Sequence, residues 1–389
     1  MGCSTSNMAA EKTIDPFFDL ILDEDLKENR WPQKITEYKA QGGKTSLMCQ
    51  AITKEIFEKL KDRKTASGGW TIARAINTGT MYPTSFVGCH AGDMESYTLY
   101  KELFHPVIEA YHIGYKMDGS MKHVTDMDVE KITEDLTASA KAKIISTRIR
   151  VARNLSFYPL NPAGTRATRE EIAEHMEKVF SRLPEDLKGD FFRHTTMSDA
   201  QRQQLIDDHF LFRGKDKMQA ASGYHQDWPH GRGIFVSKDK KFLLWINEGD
   251  HLRIISMEQG GDVRSVFSRL SSGIKAIENG LKEATGRDEV FMKDPYLGMV
   301  TCCPTNIGTG MRGSVHILVP KLIKAWGFEK LDTLARTRNC QVRGSTGEHS
   351  EVIDRIDVSN WRRLGFSEST LVQDMIRFAN YISEEEDKL

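Results

Sequence analysis

Five arginines stand where a protein that handles polyphosphate would need them. Arg148 and Arg150 are two residues apart in Lys143–Val151, a stretch that reads as a strand, so both side chains leave one face while Ile149 and Val151 leave the other. Like charges side by side repel unless an anion lies between them. Arg253 closes Asp250-His251-Leu252-Arg253, Arg312 follows Gly308-Thr309-Gly310-Met311, and Arg343 precedes Gly344-Ser345-Thr346-Gly347. A guanidinium fork matches phosphate geometry, so arginines that converge make a polyphosphate site. A lone arginine is more often a surface ion-pair residue; the strand pair is the hardest to read that way.

The run Cys302-Cys303-Pro304-Thr305-Asn306-Ile307-Gly308-Thr309-Gly310 is the most specific segment. A cysteine ahead of Pro, Thr, Asn and Gly sits in a turn rich in backbone donors and a hydroxyl, and such donors stabilise a thiolate. The competing reading is a buried structural cysteine at a strand end. Gly42-Gly43-Lys44-Thr45 looks like the end of a P-loop, but Tyr38 stands where its first glycine should be. No H-R-D or D-F-G run is present. Any ATP site here would rely on arginines.

These groups need a scaffold. The segment Ala51–Lys64 carries Ile52, Ile56 and Leu60 at helical spacing, and Tyr97–Tyr111 reads as a second helix interrupted near Pro106. Met117 to about Lys141 is charged, poor in aromatics and the best linker candidate. Beyond it, Thr168–Leu183 reads as an amphipathic helix. Gly233–Val236, a polar turn and Phe242–Ile246 read as a hairpin, Val263–Leu281 as a long helix with one apolar face, and Ser314–Val319 as a strand closed by Pro320. Strands joined by hairpins imply an α+β fold with an antiparallel sheet. The organisation expected is a tail and lead-in at 1–30, a small all-helical domain at 31–118, a linker at 119–140 and a larger α+β catalytic domain at 141–389 whose sheet is flanked by helices.

Composition narrows the class. The chain has 389 residues, 39% hydrophobic and 28% charged, with Lys+Arg 54 against Asp+Glu 55. That is an ordinary globular balance, and it argues against a nucleic-acid binder, which carries a basic excess. Six cysteines with no C-x-x-C pair or zinc spacing point to a reducing, cytoplasmic setting. No run approaches the roughly 18 apolar residues of a membrane span. The start, Met1-Gly2-Cys3-Ser4-Thr5-Ser6, fits the myristoylation pattern at Gly2, and Cys3 beside it offers a palmitoylation site. Two lipids would tether the protein stably to a membrane, whereas one myristoyl chain binds only marginally.

Several of these motifs together resemble one family. Cys303-Pro304-Thr305-Asn306-Ile307-Gly308-Thr309, Trp245-Ile246-Asn247-Glu248 with Asp250-His251-Leu252-Arg253, Leu205–Phe210, Ser146–Arg150 and Asp227-Trp228-Pro229 are similar to the phosphagen (guanidino) kinases, the creatine and arginine kinases, from about Pro32 to near the C-terminus. The resemblance implies a small helical domain, a larger antiparallel-sheet domain, and reversible transfer of the ATP γ-phosphoryl group to a guanidine with Mg²⁺. Carried over by motif, Arg148, Arg150, Arg253, Arg312 and Arg343 would hold the phosphates, with Asp357 in the same nucleotide set. His209 and His316 would flank adenine and ribose. Glu248 would reach Mg²⁺ through water, with no direct protein ligand to the metal, and Cys303 would touch the guanidinium as thiolate. Glu348 matches a substrate carboxylate of arginine kinases.

The resemblance also sets the substrate expectation. The specificity loop, Gly79 to Asp93, is short, as in arginine, lombricine and taurocyamine kinases, and its Ser85, Val87 and Gly88 would line the guanidine. Tyr111 is similar to arginine kinases at a discriminating position. Against this, His90 replaces a tyrosine and Phe86 a glycine, while Thr84 and Lys217 replace an ion pair that pins the loop in monomeric arginine kinases. Gly308–Gly313 and Asp227-Trp228 resemble the creatine-kinase branch, which favours a homodimer. The expectation is an arginine kinase on a creatine-kinase-like body, with a taurocyamine or lombricine kinase as the alternative. One departure bears on catalysis: Gly249 stands where the family has a second glutamate, the carboxylate credited with orienting the guanidinium or acting as base. Glu348 could then carry more of the burden, or the chain could be a nucleotide-binding protein with impaired catalysis.

Overall fold

A computed structural model describes residues 21–42, 44–214, 216–344 and 354–389. Gly2, Cys3 and Glu348 lie outside them.

The N-terminal part is helical, as expected, in short pieces. Ala51–Lys64 is divided between helices Leu47–Ala51 and Lys54–Leu60, because the Thr53 hydroxyl accepts from the Ile56 amide and starts a new helix. The second helix breaks at Tyr100, not near Pro106: Ser96–Leu99 ends there, and Lys101–Tyr111 runs on with Pro106 inside it. The cause is tertiary. Tyr100 is fully buried, and its hydroxyl donates to the Trp70 and Arg63 carbonyls at 2.7 and 2.9 Å.

The larger part is built on an eight-stranded antiparallel sheet. Its strands are β1 (Ile144–Arg153), β2 (Gly189–Arg193), β3 (Gly233–Ser237), β4 (Phe242–Ile246) and β5 (Leu252–Gln259), then β8 (Met311–Leu318), β9 (Cys340–Gly344) and β10 (Arg355–Asn360). A separate small hairpin pairs β6 (Lys293–Asp294) with β7 (Gly298–Met299). The sheet order is β2-β3-β4-β5-β1-β8-β10-β9. The expected hairpin is β3–β4, with Ile234 opposite Trp245.

Side chains alternate along a strand, so one face is apolar. Ile149 and Val151 of β1, Ile254 of β5, Val315 and Ile317 of β8 and Val358 of β10 are buried there. Against them pack the helices Arg166–Phe180, Val263–Thr285 and Glu368–Lys388. Val266, Phe267, Leu270, Ile277 and Leu281 put one stripe of the long helix into this core. Each such side chain contributes roughly 1.5–3 kcal/mol on burial. The 119–140 segment is mostly irregular, with a 3₁₀ turn at Val129–Lys131, but it is strapped to this domain. Ile132 and Leu136 enter the core, and Gln373 accepts from the Glu134 amide at 2.9 Å.

The helical part has its own core, which also takes in Met292, Leu297, Val300, Cys302 and Ile307 from loops of the sheet domain. The Cys302–Cys303 turn therefore sits at the junction of the two parts. Gly308-x-Gly310-x-x-Gly313 has the spacing of a dinucleotide loop, but it leads into strand β8 instead of a helix.

Candidate active site

The register of the sheet gathers the arginines on its other face. In β1, Ser146, Arg148 and Arg150 alternate onto one side. Across β8 they meet His316, Ser314 and Arg312 respectively. Across β5, Arg253 stands opposite Ala152, on the same side. Asp357 of β10 faces both His316 and Arg343. A cavity of about 450 Å³ opens over this face. Its lining combines Arg148, Arg150, Arg312 and Arg343 with Phe210, Leu243, Met257, His209 and His316. Cationic and apolar groups in one cavity suit a polyphosphate and a base.

The electrostatics show an excess of positive charge. Two of the arginines are paired with carboxylates: Arg253 with Glu248 at 3.0 Å, and Arg312 with Asp357 at 2.6 Å. Burial, then the neighbouring Arg253 and Arg312, pushes the Arg148 guanidinium down to about 10. Arg150 is pushed down by burial and then by Arg253, Arg148 and Arg312. The Arg148 and Arg312 Nε atoms are buried without a partner among the described residues. An anion seated between them would relieve both problems. Arg148 and Arg253 both lie over the Trp245 ring, at 5.7 and 6.0 Å from its centroid.

Asp357 positions its neighbours. Its second oxygen lies 3.2 Å from His316 Nε2, while Ser146 Oγ is 3.4 Å from Nδ1. Burial raises its carboxyl, but His316 and Arg312 outweigh burial and hold it below the usual range. Glu248 is handled the same way: burial raises it, and Arg253, the Gly249 amide and Arg150 bring it below the usual range.

Cys303 stands half-buried where the two parts meet. Its turn is fixed from both sides. The Tyr97 hydroxyl donates to the Thr301 carbonyl at 2.8 Å, and the Ala91 amide to the Cys302 carbonyl at 2.8 Å. His112 Nε2 lies 2.9 Å from the Pro304 carbonyl and is pushed down to about 3 by burial, so the neutral ring donates there. Asp250 accepts from the Cys302 amide at 2.9 Å. The expected donor is present, with Thr305 Oγ1 3.0 Å from Cys303 Sγ. It does not win: burial raises the thiol, and Thr305 only partly opposes it. Without substrate, burial therefore favours the thiol. An incoming guanidinium would favour the anion.

The loop expected to set specificity begins later than Gly79, because Gly79 belongs to helix Ile72–Met81. The loop is clamped to a second helix: Leu47 and Met48 amides donate to the Phe86 and Val87 carbonyls at 3.1 and 2.9 Å. Ser85 is buried with its hydroxyl unpartnered among the described residues. Gly88 has φ +76°, and a side chain there would strike Ser46 at 2.5 Å, so only glycine fits. In place of the missing ion pair, Lys217 Nζ sits 5.1 Å from the centroid of the Tyr82 ring. Tyr111 stacks edge-on with the exposed Phe86 ring at 5.6 Å. Arg363 donates to its hydroxyl at 3.1 Å and to the Thr305 carbonyl at 2.9 Å, which ties Tyr111 to the cysteine turn. His90 is buried, neutral and pushed down to about 4. Asp227, expected near a dimer contact, pairs within the chain with Arg169 at 2.9 Å.

Trp245, Phe210 and Asp250 escaped the reading of site residues, although all three lie inside motifs already singled out. Tyr224 lies in no such motif.

The geometry is matched by known proteins. Residues 171–389 match the family described as ATP:guanido phosphotransferase, C-terminal catalytic domain, and residues 43–109 match its N-terminal domain. An arginine kinase of Stichopus japonicus is 40% identical over 366 residues, 94% of this chain and 96% of that protein. The arginine kinase Lit v 2 of Penaeus vannamei is 42% identical over 332 residues, 85% of this chain and 89% of that protein. A lombricine kinase structure superposes with TM-score 0.81 at 34% identity, covering 90% of this chain and 95% of that one. The duplicated taurocyamine kinase of Schistosoma mansoni gives 0.82 at 32%, covering 94% of this chain and 49% of that one. The arginine-lined face, the cysteine turn at the junction and these likenesses agree: the chain belongs to the ATP:guanido phosphotransferases and is a phosphagen kinase.

Proposed function

We propose that the phosphoryl acceptor is L-arginine and that the enzyme buffers ATP by reversible transfer between MgATP and arginine. The observation that carries it is Tyr111, held by Arg363 against the cysteine turn and beside a short loop clamped at Phe86 and Val87. A short loop fills less space and would suit a longer guanidine. The arginine kinases at 40% and 42% identity support the same choice.

In the reaction the guanidine nitrogen attacks the γ-phosphorus in line. The N–P bond forms as the P–O bond to ADP breaks, and the guanidinium gives up one proton. Such transfer needs positioning and charge stabilisation more than covalent chemistry. Arg148, Arg150, Arg253, Arg312 and Arg343 would hold the phosphate oxygens, and His209 and His316 would border the base and ribose. Glu248, anionic beside Arg253, would meet the hydrated Mg²⁺ that arrives with the nucleotide. Cys303 would take its place against the guanidinium. We further propose a cytoplasmic homodimer, tethered to membrane where Gly2 and Cys3 are acylated.

An ATP-coupled assay over arginine, taurocyamine, lombricine, glycocyamine and creatine tests the substrate. Preference for arginine supports the reading. Preference for taurocyamine or lombricine keeps the mechanism and replaces the substrate. ADP binding without turnover of any of the five would sink it and point to Gly249.

A further inference from the structure

Gly249 removes a carboxylate from the guanidine side of the cleft, and the structure shows what stands there instead. A Cβ built on Gly249 would lie 3.0 Å from Cε2 and 3.2 Å from Cδ2 of Tyr224. That is tighter than ordinary van der Waals contact, so any side chain at 249 would have to push this ring aside by a few tenths of an ångström. Tyr224 is no flexible surface residue. It is 7% exposed, follows the left-handed Gly223 that ends helix Lys217–Ser222, and its carbonyl accepts from the buried Arg232 at 2.7 Å. The ring packs with the cluster that includes Cys302 and Cys303, and its hydroxyl makes no hydrogen bond among the described residues.

A second departure meets the same ring. His90, which stands in place of a tyrosine, packs edge-on against Tyr224 with centroids 5.4 Å apart. His90 is anchored in turn, with Nδ1 3.2 Å from Thr78 Oγ1 and its carbonyl accepting from the Trp70 indole at 3.1 Å. The two replacements thus flank one aromatic side chain: the smaller residue at 249 makes room for it, and the imidazole at 90 braces it.

We propose that Tyr224 fills the position of the missing carboxylate and forms, with Cys303 and Glu248, the wall that orients the guanidinium. This rests on the phosphagen kinase reading and adds a specificity-determining residue to it. A planar guanidinium stacks on an aromatic ring or donates to a phenol oxygen, so a neutral tyrosine orients it without a charge. Burial, then Cys302, Cys303, Asp250 and Glu248, holds the phenol far above its ordinary range. Tyr224 therefore positions the guanidinium and does not take its proton, which is left to Cys303 and the remaining carboxylates.

The test uses the full chain and four variants: Tyr224→Met, which loses the ring and leaves a slimmer, flexible apolar side chain; Tyr224→Phe, which loses only the hydroxyl; Gly249→Glu; and Gly249→Glu with Tyr224→Met. Tyr224→Met should raise the guanidine KM about tenfold while the MgATP KM stays within twofold, a split that loose packing alone does not produce. Tyr224→Phe should restore most of the difference if the ring acts, and little of it if the hydroxyl acts; either supports the wall. Gly249→Glu alone should lower Tm and activity, and adding Tyr224→Met should recover both. The proposal is overturned if Gly249→Glu is tolerated with unchanged Tm and activity, or if Tyr224→Met leaves the guanidine KM unchanged. Should the wild type turn over no guanidine, the phosphotransfer reading falls by itself. Arginine binding in the presence of MgADP and nitrate then decides this proposal: tenfold weaker binding to Tyr224→Met upholds it, and equal binding ends it.

Discussion

The Glu248 carboxylate meets the Arg253 guanidinium at 3.0 Å, with both side chains more than four-fifths buried. A buried pair of this kind is costly to break from one side, by about 3–5 kcal/mol, because the partner charge is stranded. Glu248→Gln should therefore lower Tm as well as kcat, with a kcat loss on the order of a hundredfold or more, of the size seen when a catalytic electrostatic partner is removed. The pH dependence has a definite direction. The folded value of Glu248 lies below the ordinary carboxylate value. Its stabilisation is complete above that ordinary value and is lost as pH falls through the depressed one. The Tm gap between wild type and Glu248→Gln, measured by scanning calorimetry, should be wide at pH 7 and close below about pH 4. A gap that stays constant would mean the pair does not stabilise the fold.

Asp357 couples Arg312 to His316 across the cavity floor, since one oxygen holds Arg312 at 2.6 Å and the other faces His316 at 3.2 Å. Asp357→Asn keeps the shape and removes the charge. Arg312 and His316 should then lose their fixed orientation, and MgADP should bind roughly tenfold more weakly, a cost of about 1.4 kcal/mol. Isothermal titration with MgADP checks this. Unchanged affinity would show that the strand register alone places Arg312.

What could be read before folding followed from rules with a short range. Arg148 and Arg150 share a face because strands alternate with period two, and the β3–β4 hairpin follows from two apolar runs around a polar turn. The remaining arginines join them through antiparallel register, which links Arg150 to Arg312 and Asp357 to Arg343 across separate strands. That is a long-range fact, visible beforehand only through the family resemblance. The helix break at Tyr100 went against a local rule about proline, because two hydrogen bonds from the Tyr100 hydroxyl reach residues 30 and 37 positions away. Strand β2, Gly189–Arg193, is short and polar at its start, and it pairs as a strand only because β3 lies beside it. Tyr224 was invisible for the same reason: its importance comes from contact through space with Gly249 and His90, 25 positions later and far earlier in the chain.

Thr305 should control how readily Cys303 ionises. The thiol is raised by burial, and the Thr305 hydroxyl, 3.0 Å from Sγ, is the strongest group opposing that rise. Thr305→Val removes this donor and keeps the size. Because alkylation needs the thiolate, the rate at Cys303 with iodoacetamide at pH 8 should fall several-fold in the variant, and its pH profile should move to higher pH. An unchanged profile would mean that the backbone amides of the turn, not the hydroxyl, set the thiol's behaviour.

The protein should lose stability on mild acidification, before its carboxylates titrate. His194 is buried between the rings of Phe212 and Trp228, at 4.7 and 5.0 Å, with neither ring nitrogen hydrogen-bonded among the described residues. Burial, with Arg202 and Arg232 nearby, pushes it down to about 3. His90 and His123 are pushed to about 4, and His251 to about 3, chiefly by burial. An unfolded histidine takes up its proton near pH 6.5, whereas these stay neutral in the fold. Between about pH 6.5 and 4 the unfolded chain therefore binds more protons, and stability falls as pH drops. His194→Phe removes two buried nitrogens that lack partners, each costing about 1–3 kcal/mol, and keeps a ring in the aromatic slot. Tm at pH 7 should rise by roughly 2–4 °C. The advantage over wild type should widen towards pH 5, because the variant no longer has this proton to exclude. A constant offset across that range would show that His194 destabilises only through its unsatisfied nitrogens and takes no part in the acid response.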